Sequence, residues 1–222
     1  MPTPSIVQYV QGDGSTIATF TSNVTAGNLI LIIAANQGST GVTFTGGSDN
    51  SGSNVYSPCT GASCSGSDGS GTQMSAFYCA NAVGGGTWST TWSSTGTLAA
   101  FATYCFEISG VTAYDNGGGT TGTSATAATG NFSTSFSNEI IVAATINVGS
   151  ANSPGSGYTL IVITSSFQDI LMYGLFGGGT QNATANLNGS QGWGIVAAAF
   201  YTPSAPPPPA TSAGQIVSAA AW

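Results

Sequence analysis

Few side chains in this sequence can do chemistry. There are seven acids (Asp13, Asp49, Asp68, Glu107, Asp115, Glu139, Asp169), four cysteines (Cys59, Cys64, Cys79, Cys105) and four tryptophans (Trp88, Trp92, Trp193, Trp222). Lysine, arginine and histidine are absent from all 222 residues. Two carboxylates that flank one sugar bond can hydrolyse it. Glu107 and Glu139 are the only glutamates and form the pair to test. Each stands at the end of an apolar run, where a carboxylate accepts hydrogen bonds from backbone or hydroxyl. That structural role is the expectation, and no catalytic residue is assigned.

The missing cations exclude more than the acids allow. Without histidine there is no Ser-His-Asp or Cys-His nucleophile and no imidazole to move protons at neutral pH. A lysine Schiff base is excluded, and so is an arginine fork on phosphate or carboxylate. Nucleic-acid binding needs cations that displace counterions from phosphate, and anionic membrane surfaces repel a chain of net charge −7. Charged residues make up 3% of the chain, against about 25% in ordinary domains. Hydrophobic residues nevertheless reach 41%, unlike a disordered chain.

An even number of cysteines, two of them in a Cys-x4-Cys pair, suggests two disulfides in an oxidising place. The pairing expected is Cys59–Cys64 and Cys79–Cys105. A zinc site built from all four cysteines fits the spacing poorly, because zinc ribbons use two short Cys-x-x-Cys elements. Buried small hydrophobes are the third reading for Cys79 and Cys105. Trp88 and Trp92 are an even number of residues apart and would share one strand face. There they could stack on a sugar ring, against the alternative of core packing. Trp193 reads as core. "SDNSGSN" (48–54) places oxygens at Asp49, Ser51 and Ser53, but one carboxylate is thin for calcium, so it reads as a turn. The "GGG" runs at 84–86, 117–119 and 177–179 are followed by no helix or lysine and read as turns rather than phosphate loops. No metal site and no cofactor are assigned.

The elements that must position these residues are strands. "SIVQYVQ", "TIATFT", "GVTFTG", "QMSAFYCA", "TWSTTWS", "LAAFATYCFEIS", "YTLIVIT" and "DILMYGLF" alternate or are rich in β-branched and aromatic residues. "NLILIIAA" is unbroken, as suits a strand covered on both faces; "NEIIVAATINV" and "GWGIVAAAFYT" follow the same style. About twelve short strands bounded by Gly, Asn, Ser and Pro predict an all-β antiparallel sandwich or jelly roll spanning residues 1–202. A Cys-bearing Gly/Ser loop interrupts it at 57–72. Residues 203–222 form an extended Pro-rich tail, stiff where it runs as polyproline II. Ile216, Val217 and Trp222 in that tail are candidate docking residues for a neighbouring subunit. The start, "MPTPSIVQYV", lacks the basic and apolar regions of a signal peptide.

Several blocks resemble a family of Gly/Ser/Thr-rich β-sandwich domains, lectin-like and bacterial or phage-associated, of unknown role. "NVTAGNLILIIAA", "SDNSGSNVYSP", "FYCANAVGGGTWSTTW", "FEISGVTAYD", "SNEIIVAA", "GYTLI" and "GWGIVAAAF" occur in the order of that family's motifs, over residues 5–201. The resemblance implies a sandwich shaped like lectin jelly rolls and supplies no catalytic residues. The resulting expectation is a non-enzymatic structural surface protein. A virion exterior component such as a capsid decoration protein fits best, homo-oligomeric or bound to other virion proteins, with neither nucleic acid nor membrane insertion. The alternative is an extracellular or cell-surface module that binds glycans. Because no side-chain cation holds any carboxylate in its charged form, tolerance of low pH is also expected.

Overall fold

The computed structural model describes residues 3–66 and 69–203. Among them are sixteen strands and no helix. The first eight are β1 (Ser5–Asp13), β2 (Ile17–Thr19), β3 (Leu29–Gln37), β4 (Thr43–Asp49), β5 (Ser57–Gly66), β6 (Thr72–Cys79), β7 (Ser89–Thr95) and β8 (Ala100–Ser109). The second eight are β9 (Ala113–Ala128), β10 (Phe132–Thr134), β11 (Glu139–Asn147), β12 (Ala151–Pro154), β13 (Thr159–Ile163), β14 (Ile170–Phe176), β15 (Gly179–Gln181) and β16 (Thr184–Tyr201). Every ladder between them is antiparallel, as the sandwich expectation requires.

A large sheet, β1-β8-β3-β6-β5, comes from the first half of the chain. A second, β13-β14-β11-β16, with β9 and β12 also on β16, comes from the second half. They pack face to face over a shared core that includes Leu31, Ile33, Tyr104 and Phe106 on one side and Val142, Ala144, Val196 and Phe200 on the other. The outer face of the first sheet lies under the small sheet β2-β7-β4, burying Phe20, Ile30, Ile32 and Trp92. The outer face of the second buries Phe132 of the β10-β15 ribbon with Ile141, Ala143 and Trp193. Strand β3 is buried at every position, because successive residues face two different cores. The apolar run from Leu29 predicted this. Truncating one such residue, Leu31 for example, to Ala costs about 2–5 kcal/mol.

The second half repeats the wiring of the first. Adding eight to each strand number turns β1-β8, β2-β7, β3-β6, β3-β8 and β5-β6 into β9-β16, β10-β15, β11-β14, β11-β16 and β13-β14, all of which are observed. Among the described residues only β4-β7 has no counterpart, because β12 pairs β16 instead. The central strands match in sequence as well: GNLILIIAANQGS (27–39) lies over NEIIVAATINVGS (138–150).

Two expectations are corrected. The part of the expected loop insert 57–72 that runs from Ser57 to Gly66 is strand β5, with Cys59, Ala62 and Cys64 turned into the shared core. Its small residues suit a strand that lies close against β9. The run 117–119 is likewise strand rather than turn. A Cβ at Gly117 would come within 2.5 Å of the Ala197 carbonyl oxygen, and one at Gly119 within 2.4 Å of the Ser63 carbonyl oxygen. Glycine is required there by the approach of neighbouring backbone. "DILMYGLF" is strand β14 from Ile170 to Phe176, as expected. Asp68 and residues 204–222, with the candidate docking residues Ile216, Val217 and Trp222, lie outside the described residues.

Candidate functional site

Glu107 lies at the C-terminal end of β8, fully buried and facing away from the shared core. Its carboxylate accepts three bonds: from Gln8 Nε2 at 2.6 Å, from the Thr25 backbone N–H at 2.9 Å and from Asn28 Nδ2 at 2.5 Å. Gln8 is itself clamped to Ser22, donating to its carbonyl and accepting its N–H, both at 3.1 Å. The strand-end role expected for Glu107 is what the structure shows. Three donors satisfy the carboxyl oxygens without any cation.

Glu139 opens β11, also fully buried, and faces the opposite outer layer. Side chains that point away from each other on sheets about 10 Å apart exceed the separations of about 5–9.5 Å that glycosidase carboxylates span. The Glu107/Glu139 pair therefore cannot flank one sugar bond. Glu139 Oε1 accepts the Phe136 N–H at 2.9 Å, and the Thr134 hydroxyl reaches the same carboxylate. Its Oε2 is buried with no donor, while the Asp115 carboxyl stands within hydrogen-bonding reach. Burial, and then Asp115, push the Glu139 pKa upward. Asp115 is brought there by a β-bulge, in which Asp115 and Asn116 together oppose Ala199. Bulges re-aim side chains in this way. Asp115 Oδ2 accepts the Ser135 N–H at 2.8 Å.

Asp169 precedes β14 and is wholly enclosed. It accepts the Tyr104 hydroxyl at 2.5 Å, the Asn147 N–H at 2.9 Å and Asn147 Nδ2 at 2.7 Å. Burial raises its pKa well above the usual carboxyl range, against those donors. Asp13 accepts the Ser166 N–H at 3.3 Å. Asp49 closes its own turn, taking the Ser51 N–H, Asn54 Nδ2 and the Tyr56 hydroxyl at 2.7–2.9 Å. That is the turn expected of 48–54.

The four cysteines are buried thiols, not disulfides. Cys79 is the ladder partner of Ile30 and Cys105 that of Ile32, on opposite sides of β3. Two strand spacings, about 9.5 Å, separate them, beyond the reach of an S–S bond. Cys59 and Cys64 lie along one strand, β5, and both turn into the shared core. Burial drives the Cys59 pKa up and pushes Cys105 to about 12, so both behave as small hydrophobes. For Cys79 and Cys105 the third reading, buried small hydrophobes, is the one that holds. No group of three or more His, Cys, Asp or Glu gathers as metal ligands among the described residues.

Trp92 is not a sugar platform. It is 4% exposed, packs edge-on against Phe44 and Phe101, and donates to Thr103 at 2.7 Å. Trp88 precedes β7, packs on the same core and donates to the Val83 carbonyl at 2.7 Å. The even spacing does not place the two rings on one exposed face, because the strand begins only at Ser89. Trp193 is core, as expected. What the surface offers is a groove of about 410 Å³ between β4 and the β5–β6 pair, lined by Thr43, Phe44, Ser63, Ser65, Gln73 and Ser75 among others. A depression of about 220 Å³ adjoins it, sharing Phe44, Ser63 and Ser75. The groove exists because the three-stranded small sheet leaves β5 without a partner in that layer. Its walls hold hydroxyls, one amide and one aromatic ring but no charge. The sequence does not announce it, because the Gly/Ser composition of β5 reads as a loop.

No helix among the described residues is long and apolar enough to cross a membrane. Comparison with protein-family models, with curated proteins and with solved structures finds no match to this chain.

Proposed function

We propose that the chain is a non-enzymatic structural surface protein, best suited to the exterior of a virion, as a capsid decoration or comparable outer component. The observation that carries this reading is the use made of the acids. Asp13, Asp49, Glu107, Asp115, Glu139 and Asp169 all accept hydrogen bonds that hold the fold together. Glu107 and Asp169 are fully buried among their donors, and Glu139 is buried beside Asp115, so their carboxyls serve the fold. The strand order β1-β8-β3-β6 beside β2-β7-β4 in the first half, and β9-β16-β11-β14 beside β10-β15 in the second, supports reading each half as a jelly roll. On this reading the molecule is two such units stacked by their large sheets, in keeping with the resemblance noted above.

Self-assembly is part of the proposal. Edge strands β1 and β13 expose Val7, Tyr9 and Leu160, at 48%, 39% and 41%, and apolar side chains on open edges favour pairing with another copy. Light scattering and negative-stain imaging test this. A defined oligomer that Val7→Asp dissociates supports it; a monomer at all concentrations rejects it. Finding the chain on purified particles tests the virion assignment.

A second reading, a secreted or cell-surface glycan-binding module, rests on the neutral groove along β4 and β5–β6. Hydroxyl and amide walls beside Phe44 match an uncharged sugar better than any ionic ligand. A glycan array read with wild type and Gln73→Ala decides it: saturable binding lost in the variant favours this module.

A further inference from the structure

The two halves place a carboxylate at the same corner of their wiring but surround it differently. Ile30 and Ile141 occupy matched positions, and their ladder partners on the last strand of each half are Glu107 and Ala199. Both corners carry a bulge on the adjoining strand: Val7 and Gln8 oppose Glu107, and Asp115 and Asn116 oppose Ala199. Asn28 of the first half is matched by Glu139, Thr25 by Phe136, and Ser22 by Ser133. The backbone N–H of Thr25 meets Glu107, and that of Phe136 meets Glu139, so the anion sits in the same place.

The donors do not repeat. Asn28, which donates to Glu107, is replaced by the acid itself. Gln8, which bonds both Glu107 and Ser22, is replaced by the shorter Asn116, which donates to the Ser133 carbonyl at 2.8 Å. Val7 is replaced by Asp115. The second pocket has thus lost two side-chain amide donors and gained a carboxylate. Its clearest sign is Glu139 Oε2, which accepts no hydrogen bond although its residue has no exposed surface, while the Asp115 carboxyl stands beside the same group. Leaving a buried charged oxygen unsatisfied is expensive, and a chain without lysine, arginine or histidine has no side-chain cation to put there.

We propose that this corner is a binding site for a hard divalent cation of the calcium class, held by Glu139, Asp115 and the Thr134 hydroxyl, with water completing the shell. Calcium takes six to eight oxygen ligands and accepts carboxylate, hydroxyl and water together. Two carboxylates balance its charge, and the Ser135 and Phe136 N–H groups hold the far oxygen of each. Few protein ligands imply weak binding, in the range of about 10⁻⁴–10⁻³ M seen in extracellular modules. The cation would tie β9, β10 and β11 together in the half whose outer cover is only the two-stranded ribbon β10-β15.

The test is calcium titration of EDTA-treated protein at pH 7, followed by calorimetry and thermal melting. Saturating calcium should raise the melting temperature of wild type and of Asp49→Asn, an acid outside the pocket, and should leave Asp115→Asn unchanged. Terbium gives a readout independent of stability. Bound beside Tyr201, the ladder partner of Glu139, it should show tyrosine-sensitised emission that calcium displaces and that Glu139→Gln abolishes. Equal responses in wild type and Asp115→Asn, or emission that survives in both pocket variants, would overturn the proposal. So would a calcium-insensitive wild type whose melting temperature Glu139→Gln raises, because a shared proton would then occupy the place given to the cation.

Discussion

The two halves differ most where they match best. Each holds a buried asparagine at the end of its central strand, Asn36 and Asn147, with Oδ1 accepting from the last strand or the turn before it: the Ala99 N–H in one, Gln191 Nε2 in the other. Nδ2 of Asn36 donates to neutral Gln73 at 2.9 Å, and Nδ2 of Asn147 to Asp169 at 2.7 Å. The same holds for the carboxylate corner, which is donor-rich around Glu107 and donor-poor around Glu139. The first half thus neutralises its buried polar groups with amides and wraps them under a three-stranded sheet. The second sets Glu139 beside Asp115 on the face covered by a two-stranded ribbon, and gives Asn147 an acid, Asp169, as its partner. One wiring diagram can therefore be satisfied internally or left to draw on solvent ions and protons.

The largest expected effect breaks that contrast directly. Glu107→Ala orphans Gln8 Nε2, the Thr25 N–H and Asn28 Nδ2 together. At about 1 kcal/mol or more for each stranded donor, the loss is about 3 kcal/mol, or about 10 °C in melting temperature for a chain this size. Glu139→Gln in calcium-free buffer should move the other way, because it removes a charge that has too few donors and places an amide beside Asp115. Differential scanning calorimetry of the two variants checks the signs; a loss in both would mean that the corners are equivalent after all.

The glycine runs give the next effect. Gly119→Ala would drive a Cβ into the Ser63 carbonyl, while a Cβ at Gly177 meets nothing within 4 Å. Overpacking of this kind costs about 1–3 kcal/mol, so Gly119→Ala should lower the melting temperature by about 5 °C and Gly177→Ala should leave it nearly unchanged. Equal losses would mean that β5 does not lie against β9. The two runs look alike in the sequence, and this marks where sequence reading stops. The apolar strands were legible because both-face burial writes an unbroken run, as in Leu29–Ala35, and half-burial writes alternation. Strands β5 and β9 were not, because backbone-to-backbone packing selects Gly, Ser and Thr, which also make loops. The Glu139 pocket was illegible for a related reason: a bulge delivers Asp115, and no local pattern announces a bulge. Aligning 27–39 with 138–150 would have exposed it, since that alignment sets Glu139 against Asn28.

A smaller effect separates the halves by pH. The Asp169 carboxyl is faced by Tyr104, Asn147 and, further off, Asp13. Burial raises its folded pKa above the unfolded value of about 3.9. The folded state therefore holds this proton more tightly. Its contribution is fully present below the unfolded pKa and is lost as pH rises towards the folded one. Melting temperature should be higher at pH 4 than at pH 7 by a few degrees, the reverse of ordinary acid unfolding, and Asp169→Asn should shallow the slope. A steep fall in stability between about pH 5 and pH 2 would contradict both this and the acid tolerance expected from composition.

The smallest effect concerns the thiols, all four of which belong to the first half. If Cys79 and Cys105 sit on either side of β3, a reducing agent has nothing to cleave between them, and dithiothreitol should leave the melting temperature unchanged. A native disulfide contributes about 2–5 kcal/mol, so its loss would be visible. A drop on reduction that survives in Cys59→Ser, which removes the Cys59–Cys64 pairing, would require β6 and β8 to be neighbours, which the nine-residue ladder between β3 and β8 and the seven-residue ladder between β3 and β6 forbid. The same measurement thus tests the strand order on which the match between the halves depends: with β3 displaced from the centre of its sheet, Ile30 would no longer correspond to Ile141, and the two carboxylate corners would cease to be counterparts.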